Sequence, residues 1–157
     1  MAANTETTEK KSDKTEDTRR FSISLDSIQD FEFRIKFDKT QLQDLIVDEP
    51  SPLGHDKGPD PAKLLASAVG GCLSASLLFS AQKLRLKMTG LHTNVHVSHT
   101  RNEKGRLRIG KVDVEIEPRI EEPDEQKLRR CLDMFEEFCV VTQSVRKGVD
   151  ISVKVKT

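Results

Sequence analysis

Apolar and polar positions alternate in two short runs early in the chain. Phe21, Ile23 and Leu25 share one face, and Phe31, Phe33, Ile35 and Phe37 repeat the pattern. A period of two, rich in aromatic and β-branched residues, predicts strands. Residues 27–30 fall between the runs as a hairpin turn, and residues 43–47 fit a third short strand. Pro50, Pro52, Gly54, Gly58 and Pro59 mark residues 48–60 as a loop. Asp60 is placed to cap a helix, with Pro61 at the first helical position, where a missing N–H costs nothing. That helix is expected to run to about residue 87. Residues 64–81 carry no charge and are about long enough to cross a bilayer. Gly70, Gly71 and four serines lie among them, and the rest of the chain is very polar, so a helix buried inside a domain is the reading.

Alternation returns at Leu91, Thr93, Val95 and Val97, set against His92, Asn94, His96 and Ser98. A turn at residues 102–105 leads into a returning strand with Leu107, Ile109, Val112, Val114 and Ile116. Its phase slips near Gly110, which predicts a bulge. Pro123 and Asp124 open a second helix with Leu128, Cys131, Leu132, Phe135 and Phe138 at helical spacing. Residues 139–146 fit a third, shorter helix stopped by Gly148, and Ile151, Val153 and Val155 fit a closing strand. The expected order is βββ-α-ββ-αα-β. Strands and helices grouped in blocks predict an α+β fold with a largely antiparallel sheet. Residues 1–20 are polar, without apolar periodicity, and read as a disordered tail before one domain at residues 21–157.

The 157 residues hold 26 basic and 26 acidic side chains. A neutral chain has no general pull toward nucleic acid or an anionic membrane, so neither is expected as a partner. The start has no apolar h-region, and three cysteines do not make a secreted disulfide framework. A cytoplasmic location with reduced thiols follows as the expectation. His92 and His96 share a strand face but stand roughly 13 Å apart at strand rise, too far to ligate one metal. No metal and no cofactor is expected. Lys83, Arg85 and Lys87 end the long helix, where cations suit the macrodipole.

The cysteines carry the candidate chemistry. Cys72 follows Gly70 and Gly71 in a helix interior, where paired glycines cost on the order of 1 kcal/mol each and signal close packing. It is either a small core residue or a functional thiol. Cys139 sits where two helices meet. If it opens the third helix, the N-terminus favours its thiolate, the reactive form. Cys131 falls in the apolar stripe of its helix and reads as core.

The run Gly58-Pro59-Asp60-Pro61-Ala62-Lys63-Leu64-Leu65, with Gly70-Gly71-Cys72-Leu73-Ser74 after it, resembles the signature of the OsmC-like family, which includes the organic hydroperoxide resistance proteins. Asp48-Glu49-Pro50 and Leu53-Gly54 fit the same family, and Phe138-Cys139-Val140-Val141-Thr142 resembles its second motif, which often has Pro and Ser at the positions of Val140 and Thr142. The resemblance implies an intertwined homodimer, a long central helix bearing the first cysteine, and reduction of small organic hydroperoxides with an external thiol or dithiol reductant. It makes Cys72 the peroxidatic thiolate and Cys139 the resolving partner. Active members carry a Glu in the first helical turn, paired with an early Arg. This chain has Ala62 and Lys63 there. Arg19, Arg20 and Arg34 are the candidates for that early Arg, and Glu49 for a supporting carboxylate; Arg34 and Glu49 each have a bland alternative as a solvated side chain. The other function consistent with these residues is a non-catalytic OsmC-like protein, either a holder of small ligands or a structural dimer.

Overall fold

The computed structural model describes residues 20–39 and 41–157. The expected tail therefore lies outside the described residues, except for Arg20. Strand β1 (Ile23–Gln29) pairs antiparallel with β2 (Glu32–Phe37), and β2 pairs antiparallel with β3 (Leu45–Val47). The turn is tighter than residues 27–30, because Asp30 adopts a left-handed conformation at φ 44°. The alternation predicts one covered face, yet only Ile35 and Val47 are buried in this sheet's apolar set, while Ile23, Leu25 and Phe37 remain exposed.

Loop 48–60 joins this sheet to the rest. Asp48 straps it: the buried Oδ2 accepts the N–H of His55 at 2.8 Å and of Lys57 at 3.2 Å. Gly54 and Gly58 press against the carbonyls of Glu49 and Ile46, where a Cβ would collide. The loop delivers Asp60, whose carboxylate accepts the Lys63 N–H at 2.8 Å and caps helix α1 (Pro61–Lys83).

Helix α1 packs on a long antiparallel hairpin, β4 (Met88–Arg101) and β5 (Leu107–Ile120), and on the helices beyond it. It has the length and hydropathy of a membrane span, but Val69, Leu73, Leu77 and Ala81 are buried within the domain. Gly70 admits β4: a Cβ there would meet Val95 Cγ2 at 2.5 Å. Gly71 has open space. The helix ends four residues before the expected point. Arg85 turns left-handed at φ 52°, the Arg85 N–H bonds to Gln82 O and the Leu86 N–H to Ala81 O. That is a Schellman stop, which usually uses Gly. In the hairpin, Ser98 faces Lys111 and His99 faces Ile109, so Gly110 is the extra residue of the expected bulge.

Helix α2 (Glu125–Met134) is capped by Asp124, a 3₁₀ turn spans Phe135–Phe138, and α3 (Val140–Lys147) ends at Gly148, φ 78°. Leu77, Ala81, Leu86 and Cys131 form one buried cluster; Val69, Leu73 and Cys139 form another. The closing strand is not formed. Ile151, Val153 and Val155 keep their alternation but are at least 80% exposed, and a ladder needs a neighbour that this chain does not place alongside.

Candidate functional site

The second cluster brings together two cysteines that lie 67 positions apart in sequence (139 − 72). Each is placed by a different device. Cys139 is the N-cap of α3, with the extended backbone that a cap requires, φ −81° and ψ 95°. Its sulfur accepts the Thr142 N–H at 3.4 Å, and its thiol donates to Thr142 Oγ1 at 3.0 Å. As a thiolate the same sulfur would accept from that hydroxyl. The Cys139 N–H bonds to Glu136 O at 3.1 Å, which fixes the entry to the helix. Cys139 is wholly buried.

Cys72 projects from the middle of α1 and is half-buried. It packs against the Cys139 cluster, beside Val112, Val114 and Val141. The first two N–H groups of α3, from Val140 and Val141, act on its sulfur, as does the Cys139 thiol. Ser76, one turn along α1 and buried, acts in turn on Cys139. Both thiols are free rather than joined.

Burial pushes the Cys72 thiol up, and the neighbouring Cys139 sulfur adds to this; the Val140 and Val141 N–H groups oppose without reversing it. Burial raises Cys139 too, but the Thr142 hydroxyl, the Cys72 thiol, the Thr142 N–H and Ser76 outweigh it, and Cys139 lies below the ordinary thiol value. Cys131 is pushed up by burial alone, with its sulfur 3.8 Å from Leu77 O, and is core as expected.

Arg34 is exposed on β2, opposite Asp26 on one side and Ile46 on the other. Glu49 is half-buried in the loop. Neither is among the main groups acting on the two sulfurs. No acidic residue stands in the first turn of α1, and Lys63 pairs with the cap, Asp60, at 3.0 Å. Sequence reasoning did not single out Ser76. Its signal is spacing: it lies four residues after Cys72, on the same face of the helix. His92 and His96 are exposed opposite Glu117 and Asp113. Among the described residues no group of three or more His, Cys, Asp or Glu is set to hold a metal ion.

Two cavities flank α1. One, of about 900 Å³, runs between α1 and β4 along Ala66, Gly70, Ser74 and Val95, and neither sulfur lines it. The other, of about 520 Å³, is walled by Leu73, Val114, Phe135 and Val145 and reaches Thr142.

Fold and site together define an α+β protein built around a cysteine pair at a helix N-terminus. The OsmC-like protein family model matches residues 54–154, most of the chain, and the chain belongs to that family. It is similar in structure to an OsmC-like protein of unknown function from Vibrio cholerae, at TM-score 0.70 and 18% identity, covering 80% of this chain and 93% of that one. It is also similar to an organic hydroperoxide resistance protein from Legionella pneumophila, at TM-score 0.62 and 15% identity over 85% and 93% of the two chains. A third likeness is to the organic hydroperoxide resistance protein OhrB of Bacillus subtilis, at TM-score 0.56 and 20% identity over 88% and 98%. Identities this low speak for the fold alone. Among curated proteins, none matches the chain.

Proposed function

We propose that this protein reduces small organic hydroperoxides through Cys72 and Cys139, with an external thiol or dithiol as electron donor and no bound cofactor. The observation that carries the reading is that Cys72 packs into the cluster of Cys139, the residue that caps α3. Cys72 is the accessible sulfur and Cys139 the buried one, which suits attack by the first and resolution by the second. The Cys72 thiolate attacks the outer peroxide oxygen. An S–O bond forms, the O–O bond breaks, and the departing alkoxide takes a proton to become the alcohol. Cys139 then attacks the sulfenic sulfur. An S–S bond forms, and the hydroxide leaves as water after protonation. A dithiol restores the pair by exchange. Such a cycle belongs in a reducing compartment, the cytoplasm.

The reading includes a homodimer. A second copy would cover the apolar residues left open at the two ends of the chain, Ile23 and Leu25 of β1 and Ile151, Val153 and Val155. Support from Arg34 or Glu49 would then come across the interface.

The test mixes reduced protein with cumene hydroperoxide and dithiothreitol, follows peroxide loss, and maps disulfides by mass spectrometry. Consumption together with a Cys72–Cys139 bridge is expected. No bridge and no consumption would end the proposal. The 900 Å³ cleft, which holds neither sulfur, favours a non-catalytic ligand holder as the second reading. Ligand retention unchanged in Cys72→Ser, with no peroxide loss in the native protein, selects it.

A further inference from the structure

We infer that Cys139 rather than Cys72 holds the resting negative charge of the pair, and that Thr142 is the positioning residue that keeps it there. This deepens the thiol reading of the site and rests on it. Thr142 is the third residue of α3 and meets the Cys139 sulfur twice: its N–H donates to the sulfur at 3.4 Å, and its hydroxyl, which accepts from the thiol at 3.0 Å, turns to donate once the sulfur is a thiolate. The sulfur occupies the place that a Ser or Asp oxygen takes at an ordinary N-cap, where a negative charge is favoured. Ser76 adds a hydroxyl from α1.

Burial acts most strongly on both sulfurs, and the polar groups that act on them are these hydroxyls, the Val140, Val141 and Thr142 amides, and each other. The apolar side chains packed around them come from α1, β5, the 3₁₀ turn and α3: Val69, Leu73, Val112, Val114, Phe135 and Val141. The flanking ionised pair, Glu136 and Arg146, is bonded to itself at 2.7 Å. The chain thus supplies dipoles where a first-turn Glu is absent.

The consequence for the reaction is a proton relay. The Cys139 thiolate takes the proton of Cys72 as the oxidant arrives, so an S–H bond breaks at Cys72 and one forms at Cys139. The Cys72 thiolate, whose charge the Val140 and Val141 N–H groups favour, then attacks the peroxide. When Cys139 resolves the sulfenic acid, its proton goes to the departing hydroxide and leaves as water. One further proton from solvent converts the alkoxide to alcohol, and the cycle balances.

The experiment needs no peroxide. In protein carrying Cys131→Ser, thiolate absorbance at 240 nm is titrated against pH for the parent, Cys72→Ser, Cys139→Ser, Thr142→Val and Thr142→Ser. The thiolate signal with the lowest midpoint is expected to survive Cys72→Ser and to vanish in Cys139→Ser. Thr142→Val should raise its midpoint by about one pH unit, a tenfold loss of thiolate below the midpoint, and Thr142→Ser should restore it. A signal that vanishes with Cys72 and survives without Cys139 overturns the inference, as does a Thr142→Val midpoint equal to the parent's. Failure of peroxide turnover with this titration intact would sink the proposed activity and leave the charge assignment standing.

Discussion

Two adjacent glycines on α1 have opposite surroundings. Gly70 lies against Val95, while Gly71 faces open space. Gly70→Val should force β4 off the helix and destabilise the fold by about 1–3 kcal/mol, the usual range for overpacking. Gly71→Ala should stabilise slightly, since Ala is the better helix former by about 1 kcal/mol. Urea unfolding of both variants checks the pair. The sequence showed that something comes close to these glycines, but not which of the two it touches. Asp48 is the other decisive residue. Burial alone would raise its carboxyl, but the His55, Lys57 and Glu49 amides outweigh burial and hold it below the ordinary 3.8. A lowered native value means stability that is full above the unfolded value and lost as pH falls through the native one. Acid unfolding followed by circular dichroism should therefore show a loss below about pH 4 that Asp48→Asn flattens.

Element starts were legible because they use local chemistry. Asp60 before Pro61 and Asp124 before Glu125 cap their helices through their own side chains. Asp60→Ala should cost about 1 kcal/mol in thermal or urea unfolding. The Gly110 bulge was legible from its broken phase. The end of α1 was not, because Arg85 takes a conformation that a glycine would have announced. The 3₁₀ turn at Phe135–Phe138 was hidden by side chains that continue the helical spacing of α2. The candidate site was legible only in halves. Each cysteine had a plain local reading as core, and the resemblance to a family joined them. The hydroxyl of Ser76 gains meaning only once α1 and α3 are brought together.

At the scale of the molecule, the β1–β2–β3 sheet makes no extended contact with α1. It is tied to the rest by the loop, through Lys57 to the buried Glu32 at 3.4 Å and the backbone contact of Gly58 with Ile46. Strand alternation in β1 and at residues 151–155 is an instruction for burial that one chain does not carry out. Under the dimer proposal, removing residues 149–157 should convert a dimer to monomer in sedimentation velocity. A dimer of unchanged stability would show that the segment takes no part.

The sulfur of Cys139 both caps a helix and, in the proposed cycle, forms a covalent bond. An electron-rich anion suits the amides at the start of α3; a disulfide sulfur is neutral and a poor acceptor. Oxidation would then loosen the first turn of α3 and reduction would tighten it. Faster amide exchange at residues 140–143 in the oxidised form would be the mark of this coupling, with the redox state of one atom written into the order of a helix.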